Sequence, residues 1–171
     1  MSRIRAGLIG TGAITDFHYP AYWDNPKVTL HAICDVDADL VRRRSMEWAV
    51  ATTYSDYREL LANPEIDAVE VITPHHLHVE IGVAALEAGK HGSMQKPMAM
   101  NVSECDALIA AEKRSDRQFR VFENFRYYPP MVKAGELLLA GEIGEPLSIR
   151  IKCVQGTTGK GWEIPYRRWE W

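Results

Sequence analysis

A chain of 171 residues is long enough for one domain, or for one domain and the opening of a second, and too short for two full ones. Hydrophobic residues at 46% and charged residues at 25% give it the means to bury a core, which excludes intrinsic disorder and a collagen-like fibre. A net charge of -3, with neither a basic block nor a long acidic tail, argues against nucleic acid as a partner.

Cys34, Cys105 and Cys153 are far apart, so neither a disulfide framework nor a zinc spacing is available, and a reducing cytoplasm is the expected location. No stretch approaches the ~20 apolar residues of a membrane span. Met1-Ser2-Arg3 leads directly into a strand-like segment where a signal peptide would carry an apolar run.

In chain order, residues 3–9 read as a short buried strand, and the glycines after it lead into a helical segment over 13–23, ahead of Pro26. Residues 28–34 form a second β-rich run. Asp37 then stands as N-cap to a helix that ends at Trp48. The alternation continues with a strand at Thr52-Thr53, a helix over 57–62, a strand over 68–72 and a helix over 76–88 closed by Gly89. An extended piece at 92–94, a helix over 102–116 with Ser103 as its cap, and a strand over 120–123 follow. Strands alternating with helices in this way predict a parallel, doubly wound α/β sheet with helices on both faces. From Phe125 the rhythm changes: Tyr127-Tyr128-Pro129-Pro130 precedes a helix over 131–140 and glycines at 141 and 144. Residues 146–154 then alternate as a strand needs to, with too little chain after them for partner strands. The expected organisation is a nucleotide-binding domain over 1–124 and the incomplete beginning of an open-faced α+β domain over 125–171.

Gly10-Thr11-Gly12-Ala13-Ile14-Thr15 follows a strand and opens a helix, and Asp35 ends the next strand. In that frame Gly10 permits a tight turn, Gly12 admits a diphosphate to unpaired N–H groups, and Asp35 accepts from the adenosine ribose. A carboxylate there repels a 2'-phosphate, which favours NAD over NADP, although Arg42, Arg43 and Arg44 lie on one helix close by. The plainer alternative is a glycine turn of an ordinary doubly wound domain, with Asp35 an exposed strand-end acid. Thr15 stands where glycine or alanine would pack the helix closest to the strand, so a slightly wider spacing is expected. His75, His76 and His78 offer no pair at helical i,i+4 spacing and no matching carboxylate, so no metal is expected.

Gly7-Leu8-Ile9-Gly10-Thr11-Gly12-Ala13-Ile14, Thr73-Pro74-His75-His76-Leu77-His78, Ala88-Gly89-Lys90-His91 and Gln95-Lys96-Pro97-Met98-Ala99 occur in this order, followed by Glu123-Asn124-Phe125-Arg126-Tyr127. The ordered set resembles the glucose-fructose oxidoreductase / inositol 2-dehydrogenase (Gfo/Idh/MocA) family. The resemblance implies a nicotinamide-dependent dehydrogenase acting on a hydroxyl of a sugar, cyclitol or cyclic diol, homo-oligomeric in its full-length form. It places Lys96 beside the nicotinamide, to take the hydroxyl proton or hold a developing alkoxide. It places Thr73 and Pro74 at the end of a strand in the cofactor cleft, His75 and His78 in the loop beneath the nicotinamide ribose, Gln95 and Asn124 close to the cofactor, and Arg126 and Tyr127 toward substrate; the plainer alternative for His78 is a helix-start histidine bonded to backbone. Trp162, Trp169 and Trp171 resemble the aromatic segment that approaches cofactor or substrate in relatives. Gln95 departs from the family, which has glutamate there, and the later histidine that relatives use for proton handling has no counterpart here. A cofactor-binding module without turnover and an adenosyl-ligand protein such as a methyltransferase remain as competing readings.

Overall fold

The computed structural model describes residues 3–152, and packing divides the chain into two units, with the division between Phe122 and Glu123. The first unit holds β1 (Ile4–Ile9), β2 (Val28–Cys34), β3 (Thr52–Tyr54), β4 (Ala68–Val71), β5 (His91–Met94) and β6 (Phe119–Val121). They form one six-stranded parallel sheet in the order β3-β2-β1-β4-β5-β6. This is the doubly wound architecture that the alternation of elements predicts. Sequence order reverses between β1 and β4, and the loops leaving the carboxyl ends of strands on either side of such a switch point diverge and leave a crevice.

Successive side chains on a strand face opposite ways. Ile9, Ala32, Cys34, Val69 and Val71 accordingly join one apolar cluster with Leu60, Ile81, Met94 and Leu108. Leu8, Ile33 and Ile72 join another with Val41 and Trp48. Fully burying such an aliphatic side chain contributes about 1.5–3 kcal/mol, so both clusters fix the strands whose ends carry the loops.

The helix expected over 13–23 is two short ones, α1 (Thr15–His18) and α2 (Pro20–Trp23). Pro20 has no N–H to continue α1 and suits the first position of a new helix. Asp37 caps α3 (Ala38–Trp48) as expected, accepting from the amides of Asp39 and Leu40 at 3.0 and 2.9 Å. After α4 (Tyr57–Ala62), a 3-10 turn at His75–Leu77 leads into α5 (His78–Glu87), so the helix proper starts two residues later than the sequence implies.

The cap of α6 (Val102–Arg114) is Asn101 and not Ser103. Its extended backbone brings the side-chain oxygen 3.0 Å from the Glu104 amide, and Ser103 supports it by donating to the same oxygen at 2.7 Å. β6 starts a residue earlier than expected and ends two residues sooner. The Phe119 ring fills the space left by Gly92, where a Cβ would lie 2.3 Å from that ring, and this fixes the pairing of Gly92 with Phe119.

The second unit has a 3-10 turn at Asn124–Tyr127 and α7 (Pro129–Leu139). The strand expected over 146–154 does not form among its described residues, where Leu147, Ile149 and Ile151 are exposed. Alternation prepares a segment for a sheet, but a ladder needs a partner strand. Cys153, Val154 and the three tryptophans Trp162, Trp169 and Trp171 lie outside the described residues.

Candidate functional site

β1 delivers the glycine turn to the switch point. Gly10 has φ +92°, and a Cβ on it would lie 2.5 Å from the Ile72 carbonyl oxygen at the end of β4, so only glycine allows so close an approach. Gly12 is the opposite case: an added Cβ would meet nothing within 4 Å. Among the described residues the amides of Gly12, Ala13 and Ile14 donate to no protein group, and Gly12 and Ala13 are exposed. Free N–H donors beside open space fit the oxygens of a diphosphate. Thr15 is completely buried, with its hydroxyl donating to the Gly10 carbonyl at 3.3 Å, so the turn itself absorbs the larger side chain.

Asp35 leaves the tip of β2 and reaches the same turn. Its Oδ2 accepts from the Thr11 amide at 2.7 Å and from the Thr11 hydroxyl at 3.1 Å, and Oδ1 accepts from the Asp37 amide at 3.1 Å. A carboxylate offers about four acceptor positions, so the protein's own donors leave room for a sugar hydroxyl. Thr11 is fully buried, which makes Asp35 part of the turn's support as well as a candidate ligand.

Arg44 is committed elsewhere. It donates to the Thr11 carbonyl at 3.4 Å, pairs with Asp16 at 2.6 Å and Glu47 at 2.9 Å, and stacks over Trp48 at 4.8 Å. Arg42 is paired with Asp39 at 2.8 Å. These two arginines are therefore held by internal partners.

The loops after β4 and β5 carry the next group. His78 is fully buried, with Nδ1 2.7 Å from the Pro97 carbonyl and Nε2 3.0 Å from the Thr73 carbonyl. It is a helix-start histidine held between two backbone carbonyls, and it bridges the Thr73-Pro74 loop to the Lys96-Pro97 loop, whose peptide bond is cis. The Lys96 side chain is exposed. His75 packs edge-on to His78 at 5.4 Å. Burial first, then the charges of His78, Lys96 and His76, hold the His75 imidazole below its ordinary range.

The unfolded chain thus takes up the His75 proton more readily than the folded one. Its contribution to stability is complete above about pH 6.5 and is lost as pH falls below that. A histidine NMR titration is expected to give His75 a midpoint below that of an unfolded peptide. A midpoint at or above the peptide value would contradict the burial of His75 together with its cationic neighbours.

Gln95 faces inward to a group that local sequence patterns do not reveal: its amide nitrogen lies 2.8 Å from His18 Nε2, and His18 in turn contacts the buried Glu70. The available signal was Glu70, a lone acid in an apolar strand. Asn124, Arg126 and Tyr127 lie in the 3-10 turn of the second unit, and all three are exposed. No helix among the described residues is long and apolar enough to cross a membrane.

An open parallel sheet with a glycine turn at its switch point and an acid at the tip of the adjacent strand defines a dinucleotide-binding Rossmann domain. The chain belongs to the Gfo/Idh/MocA oxidoreductase family, described by its NAD-binding Rossmann fold, which it matches over residues 4–123. It is 32% identical over 158 residues to the levoglucosan dehydrogenase of Pseudarthrobacter phenanthrenivorans, which covers 88% of this chain and 40% of that protein. It is 27% identical over 170 residues to the inositol 2-dehydrogenase of Salmonella typhimurium, which covers 98% of this chain and 51% of that protein. The crystal structure of a probable dehydrogenase from Thermotoga maritima aligns with a TM-score of 0.80 at 31% identity, over 84% of this chain and 43% of that one. The chain spans 40% and 51% of the length of these two curated relatives.

Proposed function

We propose that this chain is the cofactor-binding part of an NAD-dependent dehydrogenase that acts on a hydroxyl of a sugar, cyclitol or cyclic diol, with residues from 125 onward opening the substrate and oligomerisation domain. The observation that carries the reading is the juxtaposition at the switch point: free amides at 12–14 beside open space, and the Asp35 carboxylate at the turn's edge. Levoglucosan and inositol, named for two relatives, are the models for substrate. Cys34 is buried, and burial first, then Asp35, Asp56 and Glu59, push its thiol up to about 12. Such a thiol is inert, and among the described residues Cys34 and Cys105 are both unpaired, which fits a reducing cytoplasm.

Bound NAD would accept hydride from the carbinol carbon. The chain's own part is to hold the diphosphate on the amides after Gly12, to clasp the adenosine ribose with Asp35, and to set Lys96 at the nicotinamide end. As a free amine, Lys96 Nζ takes the hydroxyl proton as the carbonyl forms; in the reverse direction its ammonium returns that proton. Thr73 and Pro74 line the cofactor cleft, and His75 and His78 shape the loop under the ribose. The family resemblance alone assigns Gln95 and, in the second unit, Asn124 to the cofactor, and Arg126 and Tyr127 to substrate.

Fluorescence titration with NADH, NADPH and S-adenosylmethionine tests the reading, with NADH expected to bind tightest. Tighter binding of the adenosyl sulfonium would replace the dehydrogenase reading with a methyltransferase one. Asp35→Asn keeps an acceptor for the Thr11 amide and removes the charge that opposes a 2'-phosphate. It is expected to raise NADPH affinity relative to NADH by about tenfold. An unchanged ratio would take Asp35 out of the ribose site.

A further inference from the structure

β4 contains one acid among apolar neighbours, and Glu70 is only 4% exposed. A carboxylate at that depth persists when its oxygens receive hydrogen bonds. Both oxygens are served. Oε1 lies 2.6 Å from His18 Nδ1, and Oε2 accepts from the Tyr22 hydroxyl. Burial first, then Glu70, hold the Tyr22 phenol well above its usual range, so it remains a donor. The other ring nitrogen, His18 Nε2, is 2.8 Å from Gln95 Nε2, and Gln95 Oε1 accepts from the Lys96 amide at 2.8 Å. Phe122 covers the imidazole edge-on at 5.1 Å.

The direction of each bond follows from groups with no choice. A backbone N–H can only donate, so Gln95 presents its oxygen to Lys96 and its amide nitrogen to His18. An amide NH2 can only donate, so His18 Nε2 is a bare acceptor. The single ring proton then sits on Nδ1 and is donated to Glu70.

We propose that Glu70, His18 and Gln95 form a directed relay that positions Lys96 by its backbone amide, with His18 fixed as the neutral Nδ1–H tautomer because position 95 is an amide. The functional meaning rests on the reading of Lys96 as the proton-handling group; the tautomer stands without it. A carboxylate at position 95 would place an acceptor at each ring nitrogen, and both would be protonated. The cluster now holds one carboxylate and a neutral ring. With Gln95→Glu it would hold two carboxylates and an imidazolium, which is the same net charge. The amide therefore decides where a proton sits beneath Lys96 and leaves the total charge there unchanged.

Long-range nitrogen–proton NMR correlation on the isotope-labelled chain at neutral pH reads this directly, with the His18 signals assigned by their loss in His18→Ala. The unaltered chain is expected to show a protonated Nδ1 and a bare Nε2, and Gln95→Glu to show both nitrogens protonated. A ring protonated at Nε2 in the unaltered chain, or still bare there in Gln95→Glu, overturns the proposal. Should Gln95→Glu not fold, the tautomer of the unaltered chain decides alone.

The hold on Lys96 is read by amide hydrogen exchange. Protection of its N–H is expected to fall about tenfold in His18→Ala, and unchanged protection overturns the positioning role. NADH titration of the same samples separates the two claims. Failure to bind NADH with the tautomer as stated removes the cofactor reading and keeps the relay, whereas NADH binding with the opposite tautomer removes the relay alone.

Discussion

Gly10→Ala is expected to cost about 3 kcal/mol of stability and to abolish measurable NADH binding. At φ +92° an L-residue is strained, and its Cβ would press 2.5 Å from the Ile72 carbonyl oxygen, a backbone atom that cannot swing aside. Relief requires β1 and the β4 loop to separate, which dismantles the turn that presents the free amides. Gly12→Ala provides the contrast. Its Cβ meets nothing in the protein, so stability should change by less than about 0.5 kcal/mol. A methyl group would nevertheless stand where the diphosphate approaches, and NADH affinity is expected to fall at least about tenfold. Urea unfolding and fluorescence titration of both variants measure these outcomes. Gly12→Ala binding NADH as tightly as the unaltered chain would place the cofactor elsewhere.

The second large effect concerns Lys96. Its amide is held by Gln95, while its side chain is exposed and enters no hydrogen bond among the described residues. Lys96→Ala should therefore leave the fold intact and NADH affinity within about threefold. Turnover of a polyol by the protein with its substrate domain is expected to fall by about 100- to 10,000-fold, the range that loss of a positioned proton acceptor produces. A steady-state assay of NADH formation measures it. Activity that survives the substitution would reject the role given to Lys96.

The doubly wound sheet was legible because short apolar strands and glycine-bounded helices alternate, and the turn at Gly10 and Gly12 was legible because it sits between two such elements. Asp37 announced its helix for a local reason, a short acceptor just ahead of an amphipathic run. Ser103 was the expected cap, and Asn101 takes its place. Three-dimensional reach decided between them: Glu104 also bends back to the Met100 amide at 3.0 Å, which stabilises the start set by Asn101. The relay from Glu70 to Lys96 was not legible, because His18 and Gln95 are 77 positions apart and meet only once β1, β4 and β5 align. What did show was the oddity of a carboxylate within Ala68–Val71. The alternation over 146–154 misled for a related reason, since a period of two prepares a face and supplies no neighbour to pair with it.

The outermost strands of the sheet, β3 and β6, are each three residues long. So short a rim exposes few unpaired peptide groups, which makes the sheet a poor template for a strand from another molecule and guards a parallel β-structure against fibrous stacking.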